Sequence, residues 1–408
     1  LVHSSQPVYK LPCIMVLIIC FLMLSAVGEK VERKEGERFP RCPQTQCIAP
    51  GNGLNYEKYE NNPVITADML PSQINFSDFR DPKIWYDKEE ACYYCIVANR
   101  APDMSGNALL FSSPDALDWS FVTILAESKH QIGDMWECPD FFPLDDTYLL
   151  TVSPINMEAK EYEFYKGNNS IYLAGAYDKE SHTFTYGKAY PLDYGLDFYA
   201  PQTSLTPDGR RIMIGWMQCP MAAFNPNHPL KWLGQLTIPR ELTIKDGKLF
   251  QNPIKEVENY RKNLVTYHNL ILDGSMTLPD ICGRSLDLTV SLRPENADSF
   301  KSFTLSFAEG DGKRTFFSFN PAEKTITIDK SASGYEKTIL ASRTTLVGTE
   351  DGSLKLRLLL DRFSAEIFIG DGEKVMSTVF YTPLSADGLS FTSEGKVIVD
   401  LEKYDICR

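Results

Sequence analysis

Two carboxylates stand in surroundings that could set them apart chemically. Glu137 lies in "GDMWECPDFF", Gly133 to Phe142, among a Trp, a Cys, a Pro and a pair of Phe. Apolar surroundings disfavour the charged form of a carboxyl group, which suits a general acid that must hold its proton near neutral pH. Asp81 lies in "DFRDPKIWY", where Pro82 pushes it toward an extended backbone and Arg80 and Lys83 supply positive charge. A carboxylate so placed is expected to stay ionised. One acid kept protonated and one kept charged are the pair with which a glycosidase runs acid and base chemistry side by side. Taken singly, Glu137 also reads as a solvated strand-end residue, and Asp81-Pro82 as a turn.

The chain has 408 residues, 43% hydrophobic and 23% charged, with a formal net charge of -13. That is the composition of an ordinary globular protein, and the acidic balance excludes a nucleic-acid surface, which needs a basic patch. A neutral, hydroxylated partner fits better. Ten cysteines form no zinc pattern. The one Cys-x-x-Cys, "CYYC" at Cys92 to Cys95, has no second pair at metal-ligand spacing, and residues three apart on a strand face opposite ways. No metal and no organic cofactor is expected.

From Met15, "MVLIICFLMLSAVG" has the form of a signal peptide and predicts secretion. It falls short of the about 20 apolar residues of a membrane span, so none is expected; a short anchor or a mis-called start are its other readings. The chain begins at Leu1 rather than Met, and residues 1–14 read as a translated upstream stretch. Sequons at Asn75 and Asn168 permit glycosylation if the chain is secreted.

The elements that must hold the two carboxylates are strands. From Asn52 onward, short apolar runs such as "YYCIVA", "TYLLTVS" and "RRIMIGWM" are bounded by Pro, Gly, Asp and Asn, and Asp-Gly pairs recur from Asp208 to Asp387 as hairpin turns require. The fold class is all-β. "NPIKEVENYRKNL", Asn252 to Leu264, carries Ile254, Val257 and Tyr260 three apart and predicts a linker helix. Before it the texture is irregular and rich in Trp, Tyr and Pro; after it Arg284 to Ile406 alternates cleanly, as the two stacked sheets of a β-sandwich require.

"FRDPKIWY", "WECPDFF", "YGLDFYAPQTS" and "KWLGQLTIPREL" follow one another in an order that closely resembles glycoside hydrolase family 32, the invertases, levanases and inulinases. The flank "NGLNYEKYENNPVI" and, in the second half, "LLLDRFSAEIFIGDG" extend the resemblance over about Asn52 to Arg408. It implies a five-bladed β-propeller with the active site in its central funnel, followed by a β-sandwich. Carried over, Glu137 is the acid/base, Cys138 tunes its carboxyl, and Asp81 binds fructose hydroxyls and stabilises the transition state. Arg80, Asp197, Tyr199, Gln202 and Trp232 shape the fructosyl pocket, blade packing being the other reading of the last four; Cys138 also reads as a small buried residue. The expected division is a non-family segment at 1–51, the propeller at 52–251, the linker at 252–264 and the sandwich at 265–408.

The family's nucleophile motif, Asn-Asp-Pro-Asn-Gly, does not occur; "APGNGL" at Ala49 to Leu54 has no Asp. The 194 residues from Asn52 to Lys245 leave room for about four blades of 40–50 residues. An incomplete propeller is therefore expected, its open strand edges covered by the N-terminal segment or another chain. The resemblance implies a secreted β-fructofuranosidase acting on sucrose or related fructans by a retaining mechanism, and this chain is expected to be an inactive, incomplete version. A fructoside-binding remnant and a transfructosylase are the alternatives.

Overall fold

The computed structural model describes residues 20–28, 43–71, 78–101, 103–217, 234–296, 299–334 and 340–407. Trp232 and Asn75 lie outside the described residues, as does the start of the apolar run at Met15.

Three antiparallel sheets form successive blades. The first comprises Phe79–Asp87, Cys92–Arg100, Gly106–Ser113 and Ser120–Glu127. The second comprises Met135–Leu144, Thr147–Ile155, Ile171–Asp178 and Thr183–Tyr186. The third comprises Tyr199–Leu205, Arg211–Met217, Arg240–Lys245 and Lys248–Pro253. Among the described residues, three blades of this kind, rather than about four, occupy the stretch from Asn52. Residues 52–71 carry only isolated bridges and a short 3-10 turn, Ala67–Met69, and their isolated bridges run to a separate two-stranded ribbon.

In that ribbon Cys20–Val27 pairs with Gln44–Gly51. Part of the apolar run from Met15 is thus a strand: Met23 is buried in the first blade's core with Ile48, Phe79, Cys95 and Phe111.

The expected linker helix is instead a 3-10 segment, Lys255–Tyr260, after which Arg261–Met276 runs as a strand. The spacing of Ile254, Val257 and Tyr260 explains this. A strict period of three is the 3-10 period, not the 3.6 of an α-helix.

The second half is a sandwich built on one long strand, Gly388–Ile406. Its first part pairs with Phe300–Gly310 and its second part with Leu286–Pro294, so it belongs to both layers. Gly395, at φ +89, lies between the two parts, a backbone conformation in which a side chain would be strained. Phe303, Phe317, Phe319 and Phe391 fill the space between the layers.

Candidate active site

Each blade places one tripeptide of the same design on its first strand. Asp81-Pro82, Cys138-Pro139 and Ala200-Pro201 put a residue with positive φ (63°, 49° and 51°) immediately before a proline. At the same points the strand slips register with its neighbour, between Arg80 and Lys83, Glu137 and Asp140, and Tyr199 and Gln202. A left-handed non-glycine residue costs of order 1–3 kcal/mol and persists only where its surroundings enforce it. Three bulges at equivalent places aim the preceding side chains, Arg80, Glu137 and Tyr199, at one another across the blades.

Glu137 is the centre of the cluster. Its Oε1 accepts hydrogen bonds from Arg80 Nη2 at 2.7 Å and Nε at 3.2 Å, and its Oε2 accepts one from the Tyr199 hydroxyl at 2.6 Å. About a quarter of the Glu137 side chain is exposed, so the carboxyl can reach a bound molecule. The surroundings are polar, contrary to the reading of its sequence neighbours. Strand alternation turns Trp136 to the other face, where it is fully buried and donates to the Ile132 carbonyl.

Asp81 comes from the first blade and reaches the second. Its Oδ2 accepts from the Cys138 backbone N–H at 3.0 Å and lies 3.6 Å from the Cys138 sulfur. Its own N–H donates to Ser25 Oγ on the ribbon, and Ser25 donates to the buried Gln46. Gln202 Nε2 donates to the Cys138 carbonyl at 3.1 Å. Arg80, Asp81, Glu137, Cys138, Tyr199 and Gln202 therefore form one neighbourhood.

Electrostatics follow from this packing. Burial alone would depress the Arg80 guanidinium, but hydrogen bonds and charge from Asp78 and Glu137 outweigh it and hold it above its ordinary range. Burial, reinforced by Glu137, pushes the Tyr199 phenol up, so it serves as a donor. Burial, reinforced by Asp81, pushes the Cys138 thiol up as well, which leaves it a poor nucleophile.

Asp197 is not in this cluster. It is 1% exposed, and its Oδ2 accepts from Lys330 Nζ at 2.5 Å, the Val379 N–H at 2.8 Å and Thr378 Oγ1 at 3.1 Å, all in the sandwich. It fastens the two domains together rather than lining the pocket. Residues that the motif reading passed over are Asp78, which holds Arg80 at 2.6 Å, and Ser153, whose carbonyl is a second acceptor for Tyr199 and whose Oγ accepts from the Ala200 N–H. The recurring residue-then-proline step, about 60 positions apart, was the available sequence signal.

Comparison with known proteins adds an independent line. The Glycosyl hydrolases family 32 N-terminal domain matches residues 32–253, and the family's C-terminal domain matches residues 256–406. The chain belongs to glycosyl hydrolase family 32. The N-terminal match begins ahead of Asn52 and takes in the ribbon strand Gln44–Gly51. Among family 32 relatives, the sucrose-6-phosphate hydrolase of Staphylococcus xylosus is 33% identical over 329 residues, 80% of this chain and 65% of that protein. The raffinose invertase of Escherichia coli is 31% identical over 363 residues, 87% of this chain and 71% of that protein. The chain thus spans about two thirds of the length of these relatives. A Bombyx mori β-fructofuranosidase variant solved in complex with sucrose superposes with a TM-score of 0.75 at 27% identity, covering 95% of this chain and 76% of that one. An exo-inulinase from Aspergillus awamori, at 22% identity and a TM-score of 0.77, shares the fold: a β-propeller followed by a β-sandwich.

Proposed function

We propose that the Arg80–Glu137–Tyr199 cluster is the acid/base half of a retaining β-fructofuranosidase site that takes sucrose or a related fructoside. The observation that carries this reading is a carboxyl, about a quarter exposed, held between a guanidinium from one blade and a phenol from another. Glu137 protonates the leaving oxygen and later activates water. Asp81, whose Oδ1 accepts no hydrogen bond among the described residues, takes fructose hydroxyls from the side of the sugar. The names of the relatives, hydrolases of sucrose 6-phosphate and raffinose, support a fructoside substrate.

A retaining glycosidase also needs a second carboxyl about 5–5.5 Å from the first to form the glycosyl-enzyme bond. The 408 residues contain no Asn-Asp-Pro-Asn-Gly motif to supply it. Removing the core of a catalytic unit has lowered turnover about a million-fold in a comparable case. We therefore expect these 408 residues to bind fructosides without releasing reducing sugar from sucrose. Turnover that persists here and vanishes in Glu137→Ala would mean that another carboxylate attacks.

In a longer form with the motif restored, Glu137→Gln abolishes turnover of substrates with poor leaving groups and spares those with activated ones, because a general acid matters only where the leaving group needs a proton. Equal losses on both substrate types would remove Glu137 from the acid role. Product analysis at high sucrose separates hydrolysis from transfer to a second sugar.

A further inference from the structure

The first strands of the three blades run from Arg80, Glu137 and Tyr199 to Asp87, Leu144 and Leu205. Their far halves line a cavity of about 800 Å³ that shares no residue with the cluster around Glu137. We infer that this cavity binds a small organic anion through a carboxylate or phosphate group.

Charge converges there from all three blades. Lys83 of the first blade donates to the Thr203 carbonyl at 2.7 Å and lies 3.6 Å from Asp140 of the second. Asp140 is 1% exposed and already accepts from the Thr203 N–H and Oγ1 at 2.7 and 2.8 Å. Arg211 of the third blade stacks on Phe142 at 4.6 Å. Its guanidinium has one long hydrogen bond, Nη1 to Thr203 Oγ1 at 3.4 Å, and its buried Nε has none. Among the described residues no carboxylate forms an ion pair with Arg211. Lys83 and Arg211 thus share Asp140, whereas elsewhere on the same wall Asp87 and Glu89 share Lys179, with Glu90 and Lys88 beside them; the cavity is balanced as a whole, and its positive charge is concentrated where Arg211 stands.

A half-buried guanidinium without a counter-charge is costly, and burial depresses Arg211 below its ordinary range. Native structures rarely leave such a donor empty without a use for it. With Nε enclosed, the Nη1–Nη2 edge of the guanidinium is the one that offers two parallel donors to carboxylate or phosphate oxygens. The cavity wall beside it is aromatic: Trp85 stacks on Tyr94 at 5.6 Å, and Tyr148 packs on Phe141 at 5.3 Å. Such a wall receives the flat or apolar body that carries the anion. The anion supplies the counter-charge that Arg211 lacks, so binding and folding reinforce each other.

Thermal unfolding of the full chain in inorganic phosphate or in benzoate, against sodium chloride at equal ionic strength, tests this, since a ligand of the native state raises the melting temperature in proportion to RT ln(1 + [L]/Kd). A saturable rise with at least one anion is expected, and whichever anion acts shows which oxyanion the site takes. Arg211→Met is expected to melt higher than the parent without anion and to lose the response, with affinity falling by at least about tenfold. Should that variant not fold, Arg211→Lys keeps the charge but not the fork and is expected to weaken the response. Glu137→Gln and the rim variant Lys88→Met are expected to keep it. The inference is overturned if neither anion shifts the parent, if the Arg211 variants respond as the parent does, or if Glu137→Gln abolishes the effect.

Discussion

Arg80 and Arg240 each hold a glutamate across a boundary between sheets, yet the two arrangements end differently. Arg80 binds Glu137 between blades, with both side chains about a fifth to a quarter exposed and Glu137 open to a ligand. Arg240 joins the third blade to the sandwich and is fully buried. Its guanidinium bonds Glu366 at 2.6 Å, Asp193 at 3.0 Å, Ser377 at 2.6 Å and Gln251 at 3.1 Å, and it lies over the Phe198 and Phe368 rings. Every donor there is consumed by the protein. The same pair of residue types is sealed and saturated in one place, and in the other keeps one face open to solvent.

The largest effect that separates the two is expected from Arg240→Ala, which strands Glu366 and Asp193 without a cation. Breaking a buried pair in this way costs about 3–5 kcal/mol, a large share of the about 5–15 kcal/mol that holds a folded protein together, and urea unfolding should show it. A change below about 1 kcal/mol would mean that the interface tolerates uncompensated charge. Asp197→Asn comes next: Lys330 loses its buried counter-charge, and a loss of about 2–3 kcal/mol is expected, whereas Asp81→Asn at the partly exposed site should cost less than about 1 kcal/mol. If Asp197→Asn leaves melting unchanged and abolishes fructoside binding, Asp197 belongs to the pocket after all.

A pH effect sharpens the same contrast. Lys374 sits at the domain interface with its ammonium 4.0 Å over the Tyr194 ring, and burial lowers its pKa to about 8. Below that value folded and unfolded chains both hold the proton, and the penalty for burying the ammonium is fully present. Between about pH 8 and the ordinary lysine value near 10.4, the unfolded chain holds more protons, so stability rises with pH by an amount of order 3 kcal/mol. Denaturant unfolding of the parent and of Lys374→Met across that window checks the sign; the variant should lack this part of the rise.

Much of the fold could be read from local pattern because strands carry their evidence locally. Alternation in residues such as "SLKLRLLLD" and the Asp-Gly turns needed no distant partner to be interpreted. The site was legible where one tripeptide did the aiming: Arg80, Asp81, Glu137, Cys138, Tyr199 and Gln202 all flank a residue-then-proline bulge. Asp197 was misread because its partner Lys330 lies 133 residues away, and no local pattern reports a buried ion pair. The surroundings of Glu137 were misread for the opposite reason. Its sequence neighbours, Trp136 and Phe141, are local, but a strand sends them to other faces. The linker failed on a small difference of period, three against 3.6.

The long strand Gly388–Ile406 also fixes an order of events during synthesis. It follows every other strand of the sandwich in the chain, yet it lies between Phe300–Gly310 and Leu286–Pro294 and belongs to both layers. The strands made before it cannot close on one another without it, and pairing across more than a hundred residues is slow. Arg240 and Asp193, made much earlier, must wait as well, since Glu366 and Ser377 come from the same sandwich. On the ribosome the propeller strands would thus stand for many seconds with an unmet guanidinium and an open docking face, at translation rates of about 5–20 residues per second. A chaperone that shields this face until Ile406 has emerged would raise the yield of folded chain more than one acting on the blades.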